Sequence, residues 1–267
     1  MTTIEVYRPS VAIVAEHPIT AAGIVAQLAE HGLAAAGVAV TVEGLAAAGD
    51  AVVCDLRLPG RSGPDAVAFL VERGHRVLAT AGAAGPEEIL DVIASGARGF
   101  VPKTASVALF MQAIRDLIEL GYFVSAEVAR LLLSDAELRP LSSGDLGGTE
   151  IAVLRHFGKG DTATETADAL GLSAEALADA LAVVWARVGS RRVRLRPTPR
   201  ERQLMTLVMR GCSHKEAAAQ MSITALTVAG YLKSIKGKYL AAHPDVPESI
   251  TPLTAARRWA QETGPTQ

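Results

Sequence analysis

The sequence predicts a doubly wound α/β domain with a five-stranded parallel sheet, followed by all-α domains. Short apolar runs alternate with segments of helical periodicity throughout residues 1–125, as expected of successive βα units. Only helical periodicity remains beyond residue 125. Hydrophobic residues make up 49% of the chain and aromatic residues only 4%, which favours well-packed aliphatic cores.

Residues 1–125 contain five strand-like runs separated by helical segments. The runs are short and rich in β-branched or small apolar residues, and they cover residues 11–15, 38–42, 51–54, 76–80 and 98–101. The helical segments cover residues 18–31, 64–73, 86–95 and 106–120. We interpret this region as five βα units, whose parallel sheet is covered by helices on both faces.

Polar side chains follow four of the predicted strands. Glu16 follows the first strand, Asp55 ends the third, Thr80 ends the fourth and Lys103 follows the fifth. Because such sheets bind ligands at the carboxyl ends of their strands, we expect these groups to form an anion and metal site. Asp55 would act there as a nucleophile toward phosphoryl groups. Mg2+ would neutralise the developing charge, and Lys103 would pair with the phosphate.

Several motifs in this region resemble the receiver domain of two-component systems. They are AEHP at 15–18, DAVVCDLRLPG at 50–60, TA at 80–81, GARGF at 96–100, Lys103, and a NarL-type helix end, GYFVS, at 121–125. The resemblance implies a flavodoxin-like strand order, with Asp55 as phosphoacceptor and Lys103 as the invariant lysine. It also implies that Thr80 is the switch hydroxyl and Phe100 the switch aromatic residue. Its implied partners are Mg2+, bound by Glu16 and Asp55, and a histidine kinase.

One position departs from the receiver pattern. The family has two adjacent acidic residues after the first strand, where this chain has Ala15 and Glu16. The missing carboxylate and the longer glutamate both disfavour Mg2+, which tolerates little distortion of its ligands. Two interpretations therefore stay open. The domain is either a phosphotransfer module modified at Asp55, or a pseudo-receiver that keeps the fold for oligomerisation or partner binding and pairs Asp55 with Lys103.

Residues 197–240 have the pattern of a helix-turn-helix. Thr198 and Glu201 have the spacing of a capping box, as do Ser213 and Glu216 at a second helix start. Gly211 ends the first helix. A third helix follows the turn and points its apolar residues inward at helical spacing, namely Val228, Leu232 and Ile235. The sequence therefore predicts three short helices in the arrangement that presents a recognition helix to DNA. The alternative is a small helical bundle with a solvated basic face.

This stretch resembles the LuxR/NarL-type DNA-binding domain. The matching motifs are T-P-R-E-R from residue 198, G-x-S-x-K-E-A-A from residue 211 and T-V-x-x-Y-L-x-x-I-x-x-K from residue 227. The resemblance implies a homodimer that binds double-stranded DNA, with Lys233 as the main base-reading residue. The other candidate DNA contacts are Lys236, Lys238, Tyr231, Thr227, Thr224, Arg200 and Lys215. Ala229 stands where the family often has lysine, and the helical region 252–262 corresponds to a helix that supports dimerisation.

The middle of the chain contains an internal repeat. A shift of the DNA-binding stretch by 51 residues places Glu150 under Glu201 and Thr162 under Ser213. We interpret residues 141–192 as a second, degenerate helix-turn-helix, which carries acidic residues where the recognition helix should be basic. Its acidic charge disfavours DNA. We expect exposed Leu181 and Trp185 to make a protein–protein contact, and the alternative is a helical spacer.

Net charge separates these regions. Residues 190–267 contain 13 Lys and Arg against 5 Asp and Glu, whereas residues 140–189 contain 3 against 7 and residues 1–139 contain 10 against 16. Only the last region has the charge of a nucleic-acid-binding domain. Its arginines at 191, 192, 194 and 196 are expected to contact the DNA backbone. The predicted segments are a receiver-like domain (1–125), a linker helix (126–140), the acidic repeat (141–192) and the DNA-binding domain (193–267).

The sequence therefore predicts a cytoplasmic, DNA-binding transcriptional regulator of atypical response-regulator type. The alternative is a protein-interaction regulator that has a pseudo-receiver and no specific DNA binding. We do not expect an enzyme, because no nucleophile–base pair or nucleotide-binding loop is visible outside the receiver pocket. The two cysteines form no metal or disulfide pattern, which suits a reducing compartment. No signal peptide or membrane-spanning run is expected.

Overall fold

The structure is a computed structural model that describes residues 8–47, 49–138, 146–195, 197–243 and 246–263. Its contacts divide the chain into two compact units, Met1–Ser190 and Arg191–Gln267. We call them the first unit and the second unit. The division into four segments remains a prediction from the sequence.

The first unit contains a five-stranded parallel sheet. The strands are β1 (Ser10–Val14), β2 (Ala34–Ala39), β3 (Ala51–Asp55), β4 (Val77–Ala81) and β5 (Gly99–Pro102). They lie in the order β2-β1-β3-β4-β5, and each neighbouring pair is parallel. β3 and β4 are buried along their whole length, which explains why they read as continuous apolar runs rather than as alternating patterns. The predicted fold class is confirmed.

Four helices cover the two faces of this sheet. They are α1 (Pro18–Glu30), α2 (Gly63–Val71), α3 (Pro86–Ala94) and α4 (Val107–Glu119). α1 and α4 pack on one face, and α2 and α3 pack on the other. The hydroxyls of Ser62 and Ser106 cap α2 and α4 by accepting hydrogen bonds from the backbone N–H groups of Asp65 and Leu109, and this fixes where both helices begin.

Two details of the predicted sheet domain are wrong. The second strand covers Ala34–Ala39 rather than residues 38–42, because the run that pairs with β1 is alanine-rich and carries a weak strand signal. There are also four βα units rather than five, because no α-helix lies between β2 and β3 in the described residues 40–47 and 49–50. Those residues form bends, turns and irregular structure instead. Gly49 has a φ of +62° and packs directly on the Ser10 carbonyl, and the Asp50 carboxylate accepts a 2.8 Å hydrogen bond from Ser10 N.

The rest of the first unit is helical, and its last helix continues past the boundary at Ser190. α5 (Ala126–Leu138), α6 (Gly148–Lys159), α7 (Ala163–Leu170) and α8 (Ala174–Leu195) follow the sheet domain. Their apolar faces extend the core that α2 and α3 form on the sheet. The acidic repeat is therefore packed against the receiver-like domain within one compact unit.

The prediction that Leu181 and Trp185 are exposed is wrong. They are 1% and 6% exposed. The Trp185 indole Nε1 donates a 2.7 Å hydrogen bond to the Ala97 carbonyl, just before β5. Its ring lies 5.1 Å from the Tyr122 ring, centroid to centroid. Leu181 and Trp185 therefore pack inside the first unit and do not form an exposed surface for a partner protein.

The second unit consists of α9 (Pro199–Met209), α10 (His214–Met221), α11 (Ala225–Ala242) and α12 (Pro252–Thr263). Its core is formed by the inward faces of these four helices, including Leu204, Val228, Ile235 and Trp259. Trp259 of α12 packs against Tyr239 of α11, with ring centroids 5.9 Å apart. α12 thereby completes the core of a three-helix motif.

The two helical motifs correspond closely. After a shift of 51 residues, α6, α7 and α8 begin at the positions where α9, α10 and α11 begin. Complete capping boxes open both α7, with Thr162 and Glu165, and α10, with Ser213 and Glu216. This agreement supports the interpretation of the middle segment as a second helix-turn-helix copy.

No single helix among the described residues is long and apolar enough to cross a membrane. α7 and residues Ala174–Gly189, which meet at a bend of 103°, reach such a length and composition only as a pair.

Candidate nucleic-acid interface and acidic pocket

A buried glutamate fixes the relative position of α9 and α11 in the second unit. Glu201 is 2% exposed. Its carboxylate accepts hydrogen bonds of 2.6 Å from Thr198 N, Ser234 Oγ and Lys238 Nζ. Burial by itself would raise the pKa of Glu201, but the hydrogen bonds from Lys238, Ser234 and Thr198 outweigh it and lower the pKa. Glu201 therefore links the first and third helices of the motif through hydrogen bonds to its charged carboxylate.

The turn before α11 orients the start of that helix. Ser222 adopts the left-handed conformation, with a φ of 55°. Thr224 then caps α11 by accepting a 3.1 Å hydrogen bond from Thr227 N, and the two threonine hydroxyls lie 2.9 Å apart. These side chains are exposed. Both threonines thus stabilise the helix start and remain accessible to a ligand on that side.

The predicted DNA-contact residues differ in how accessible they are. Lys233 on α11, Lys215 on α10 and Arg200 on α9 are exposed, whereas Lys236 and Tyr231 are half-buried. Lys238 is half-buried too and forms an ion pair with Glu201. Its ammonium group already has a structural partner within the second unit. As DNA contacts, all of these residues remain predictions, and Lys233 is the most accessible lysine of α11.

An apolar residue that the sequence patterns do not single out lies on the same surface. Leu226 lies in the first turn of α11, and 84% of its surface is exposed. Ala229 and Gly230, one turn further on, are exposed as well. The signal that could have identified Leu226 is its distance from Lys233, since seven residues span nearly two helical turns and place both side chains on one face.

The middle copy presents a different surface at the corresponding positions of α8. Glu175 lies under Leu226 and Asp179 lies under Gly230, and both acidic residues are exposed. The four arginines predicted to contact DNA lie at the end of this copy and just after it. Arg196 lies outside the described residues, as do the side chains of the other three. Nothing in the described part of the acidic copy presents a basic face comparable to that of α11.

The predicted pocket of the first unit lies at the carboxyl ends of the strands. Asp55 is 1% exposed and forms an ion pair with Lys103. Its other carboxylate oxygen accepts a 3.1 Å hydrogen bond from Arg57 N. The guanidinium group of Arg57 bridges to Glu88 and donates a 3.1 Å hydrogen bond to the Ala83 carbonyl. Asp55 is therefore a buried carboxylate that is already charge-paired.

The other pocket residues lie around this pair. Thr80 is directly opposite Asp55 in the β3–β4 pairing and is buried. Its hydroxyl has no hydrogen-bond partner within the described part of the chain. Phe100 is buried on β5. Glu16 is half-exposed, and its carboxylate lies 3.8 Å from the His17 imidazole. Asp55, Thr80 and Lys103 thus converge, whereas Glu16 points toward solvent and His17.

The donor groups of this pocket fit Mg2+ poorly. Ala15 places a buried methyl group where a second carboxylate would be needed. Both carboxylate oxygens of Asp55 already accept hydrogen bonds, one from Lys103 and one from Arg57 N. The described residues contain no group of three or more His, Cys, Asp and Glu side chains arranged to hold a metal ion. We therefore assign no step to a metal.

Cys54 precedes Asp55 and is fully buried on β3. Burial, together with the neighbouring Asp55 charge, raises the pKa of its thiol to about 12. A thiol with such a pKa stays protonated and is a poor nucleophile. Cys54 is thus a core residue, as its position in an apolar run predicts.

Residues 198–245 match the family model of bacterial regulatory proteins of the luxR family. This segment is a LuxR-family helix-turn-helix domain. The match begins at the capping threonine of α9 and extends just past the end of α11. It includes Lys233, Leu226 and the Glu201–Lys238 ion pair.

The LuxR-family segment is accompanied by likeness to solved response regulators. A LuxR-family two-component response regulator from Aurantimonas sp. is 25% identical over 48% of this chain and 98% of its own, with a TM-score of 0.43. The RcsB response regulator of Salmonella typhimurium is 21% identical over 68% of this chain and 92% of its own, with a TM-score of 0.44. ChrA, from a heme-sensing two-component system, is 22% identical over 68% and 90%, with a TM-score of 0.41. No curated protein matches the chain.

Proposed function

We propose that this protein is a DNA-binding regulator of transcription whose second unit inserts α11 into the major groove. The observation that carries this proposal is the LuxR-family match over residues 198–245. The geometry of α11 supports it. The helix buries one face in the second unit and exposes Lys233 and its capped N-terminus on the other. An α-helix fits the width of the major groove, where each base pair presents a distinct set of groups.

Electrostatics supports the same proposal. The region 190–267 carries 13 basic and 5 acidic residues, although the whole chain has a net charge of −2. Lys215 on α10 and Arg200 on α9 are exposed as well. Contacts of such side chains with phosphates position a protein on the duplex without reading its sequence. A homodimer would place two copies of α11 in successive turns of the groove.

The first unit would act as a pseudo-receiver that controls oligomerisation or partner binding. The methyl group of Ala15 and the outward position of Glu16 disfavour metal-dependent phosphoryl transfer at Asp55, whereas the Asp55–Lys103 ion pair is compatible with both interpretations. We expect no acid-labile label on the protein after incubation with acetyl phosphate and Mg2+. A label that appears and is lost in Asp55→Asn would support the phosphotransfer interpretation, with a histidine kinase as the natural donor.

Selection of genomic DNA fragments by the purified full-length protein tests the proposed function. We expect enrichment of a defined, two-fold-symmetric site that is lost in Lys233→Ala. The matched control is Lys159→Ala, because Lys159 is an exposed lysine of the acidic copy. If Lys159→Ala also lost enrichment, the effect of Lys233→Ala would not be specific to α11, and recognition by α11 would not be supported.

A second function is supported by the surface of α11 itself. Ala229 and Gly230 offer no side-chain hydrogen-bonding group to a base edge, and Lys238 is occupied by Glu201. These features favour a protein-interaction regulator that binds DNA without sequence preference. Enrichment of no site, with equally salt-sensitive binding by the wild type and Lys233→Ala, would support this alternative.

A further inference from the structure

α11 presents a continuous exposed stripe that is mostly apolar or small. With about 100° of rotation per residue, positions 226, 230, 233 and 237 fall within a narrow sector of the helix. They are Leu226, Gly230, Lys233 and Gly237, and all are exposed. The stripe begins with a large apolar side chain, continues with a residue that has no side chain and then presents a single amine.

Internal packing does not explain this stripe. Leu226 is 84% exposed, so it contributes little to the core of the second unit. A Cβ atom added at Gly230 or Gly237 would meet no heavy atom within 4 Å. Glycine inside a helix costs about 1 kcal/mol relative to alanine, and the second unit gains no close packing in return. The stripe is therefore better explained by something outside the second unit that approaches it closely.

The surroundings of the stripe indicate what approaches it. Lys233 lies on the stripe, and Lys215 and Arg200 are exposed on the neighbouring helices, which suits a polyanion. The edges of the base pairs in the major groove carry one apolar group, the 5-methyl group of thymine. A leucine at the front of a groove-binding helix is complementary to that methyl group, and a glycine one turn behind lets the backbone come near the bases.

We infer that Leu226 reads thymine, by packing its side chain against the thymine 5-methyl group in each half-site. This inference rests on the proposed function, because it requires α11 to lie in the major groove. The recognised DNA half-site would then contain a thymine that faces the N-terminal turn of α11. Lys233, two turns further along, would contact the base edges deeper in the same half-site.

Replacement of thymine by deoxyuridine tests the contact because it removes only the methyl group. The probe is the duplex recovered from random DNA by the full-length protein, with its thymines changed to deoxyuridine one symmetric pair at a time. For one symmetric pair of thymines, we expect the replacement to lower the wild-type affinity about fourfold per half-site. This is the cost of returning one methyl group to water. Leu226→Ala should lose affinity for the thymine duplex by a similar factor and show no further loss with deoxyuridine.

Met209→Ala is the matched control, because Met209 is an exposed apolar residue of α9 outside the stripe. It should keep the wild-type discrimination between thymine and deoxyuridine. Truncation of an exposed leucine to alanine leaves the core intact, so Leu226→Ala should retain the wild-type melting temperature.

The outcomes separate the inference from the proposed function. A recovered site without thymine, or equal sensitivity to deoxyuridine in the wild type and Leu226→Ala, would overturn the role of Leu226 and leave specific DNA binding intact. Failure to recover any site would overturn both. Loss of discrimination in Leu226→Ala alone would establish the contact.

Discussion

Glu201 shows how a single residue sets the conditions under which the second unit is stable. Its carboxylate is buried and takes hydrogen bonds from three groups on two helices. The pKa of Glu201 is lower in the folded protein than the ordinary glutamate value of 4.5. A carboxylate with a lowered pKa stabilises the fold above its unfolded-state pKa, and this contribution disappears as the pH falls through the folded-state pKa.

We expect Glu201→Gln to destabilise the second unit by about 1.5–3 kcal/mol at pH 7, as for lost hydrogen bonds to a charged group. The variant should also lose stability less steeply than the wild type as the pH falls below 4.5, the ordinary glutamate value. Scanning calorimetry of the full chain at a series of pH values would measure both effects.

Glu216→Gln is the control for this experiment. Glu216 completes the same type of capping box at α10, but it is exposed and bonds to Ser213 at the start of its own helix. Its replacement should cost less than that of Glu201. Equal effects of the two replacements would show that the hydrogen bonds of Glu201 to α11 add no stability beyond that of helix capping.

Individual residues differ in how much of their surroundings can be predicted from the sequence. Asp55 and Lys103 were placed together from their positions at strand ends, and the structure pairs them. The position of Lys238 near the end of the basic helix predicts a DNA contact, which remains a prediction, but it does not reveal the structural partner of that lysine. Its ion pair with Glu201 joins residues 37 positions apart, and such a pairing depends on how two helices cross, which local periodicity does not contain.

At the scale of elements, α8 connects the acidic copy to the sheet. Trp185 packs on Tyr122, and its indole N–H binds the Ala97 carbonyl. Ala97 precedes β5, the strand that carries Phe100. α8 extends to Leu195, shortly before the start of α9. The contact therefore links a strand of the receiver-like domain to the last helix of the acidic copy.

We expect Trp185→Ala to destabilise the first unit by about 3–5 kcal/mol, because it opens a cavity in a shared core and leaves a buried carbonyl unpaired. Val183→Ala is the control, since Val183 lies on the same helix and is 38% exposed. Urea unfolding followed by circular dichroism would give both values. A loss below 1 kcal/mol for Trp185→Ala would contradict the docking of α8 on the sheet.

Elements were predictable where periodicity was strong and less so where it was weak. The buried strands β3 and β4 were placed within one or two residues, because both are continuous apolar runs. β2 was misplaced because alanine and glycine make up most of it. Leu181 and Trp185 were expected on the surface because the acidic copy was treated as a separate domain. Their burial follows from packing between distant segments, which a single sequence does not reveal.

In the molecule as a whole, the two parts of the chain carry opposite net charges. The basic residues concentrate in the region 190–267, and the preceding 189 residues carry an excess of acidic groups. A phosphate backbone is therefore attracted to the second unit and repelled by the rest. We expect DNA affinity to fall steeply with salt, by about 0.9 logarithmic units per contacted phosphate for each tenfold rise in salt.

We propose that the second unit reads a DNA sequence and does more than bind phosphates. The most direct test is the ratio of affinities of the full-length protein for its recovered site and for a scrambled duplex of equal composition, measured at two salt concentrations. We expect a ratio of about 1,000 or more that persists while both affinities fall. A ratio near one at both concentrations would contradict it.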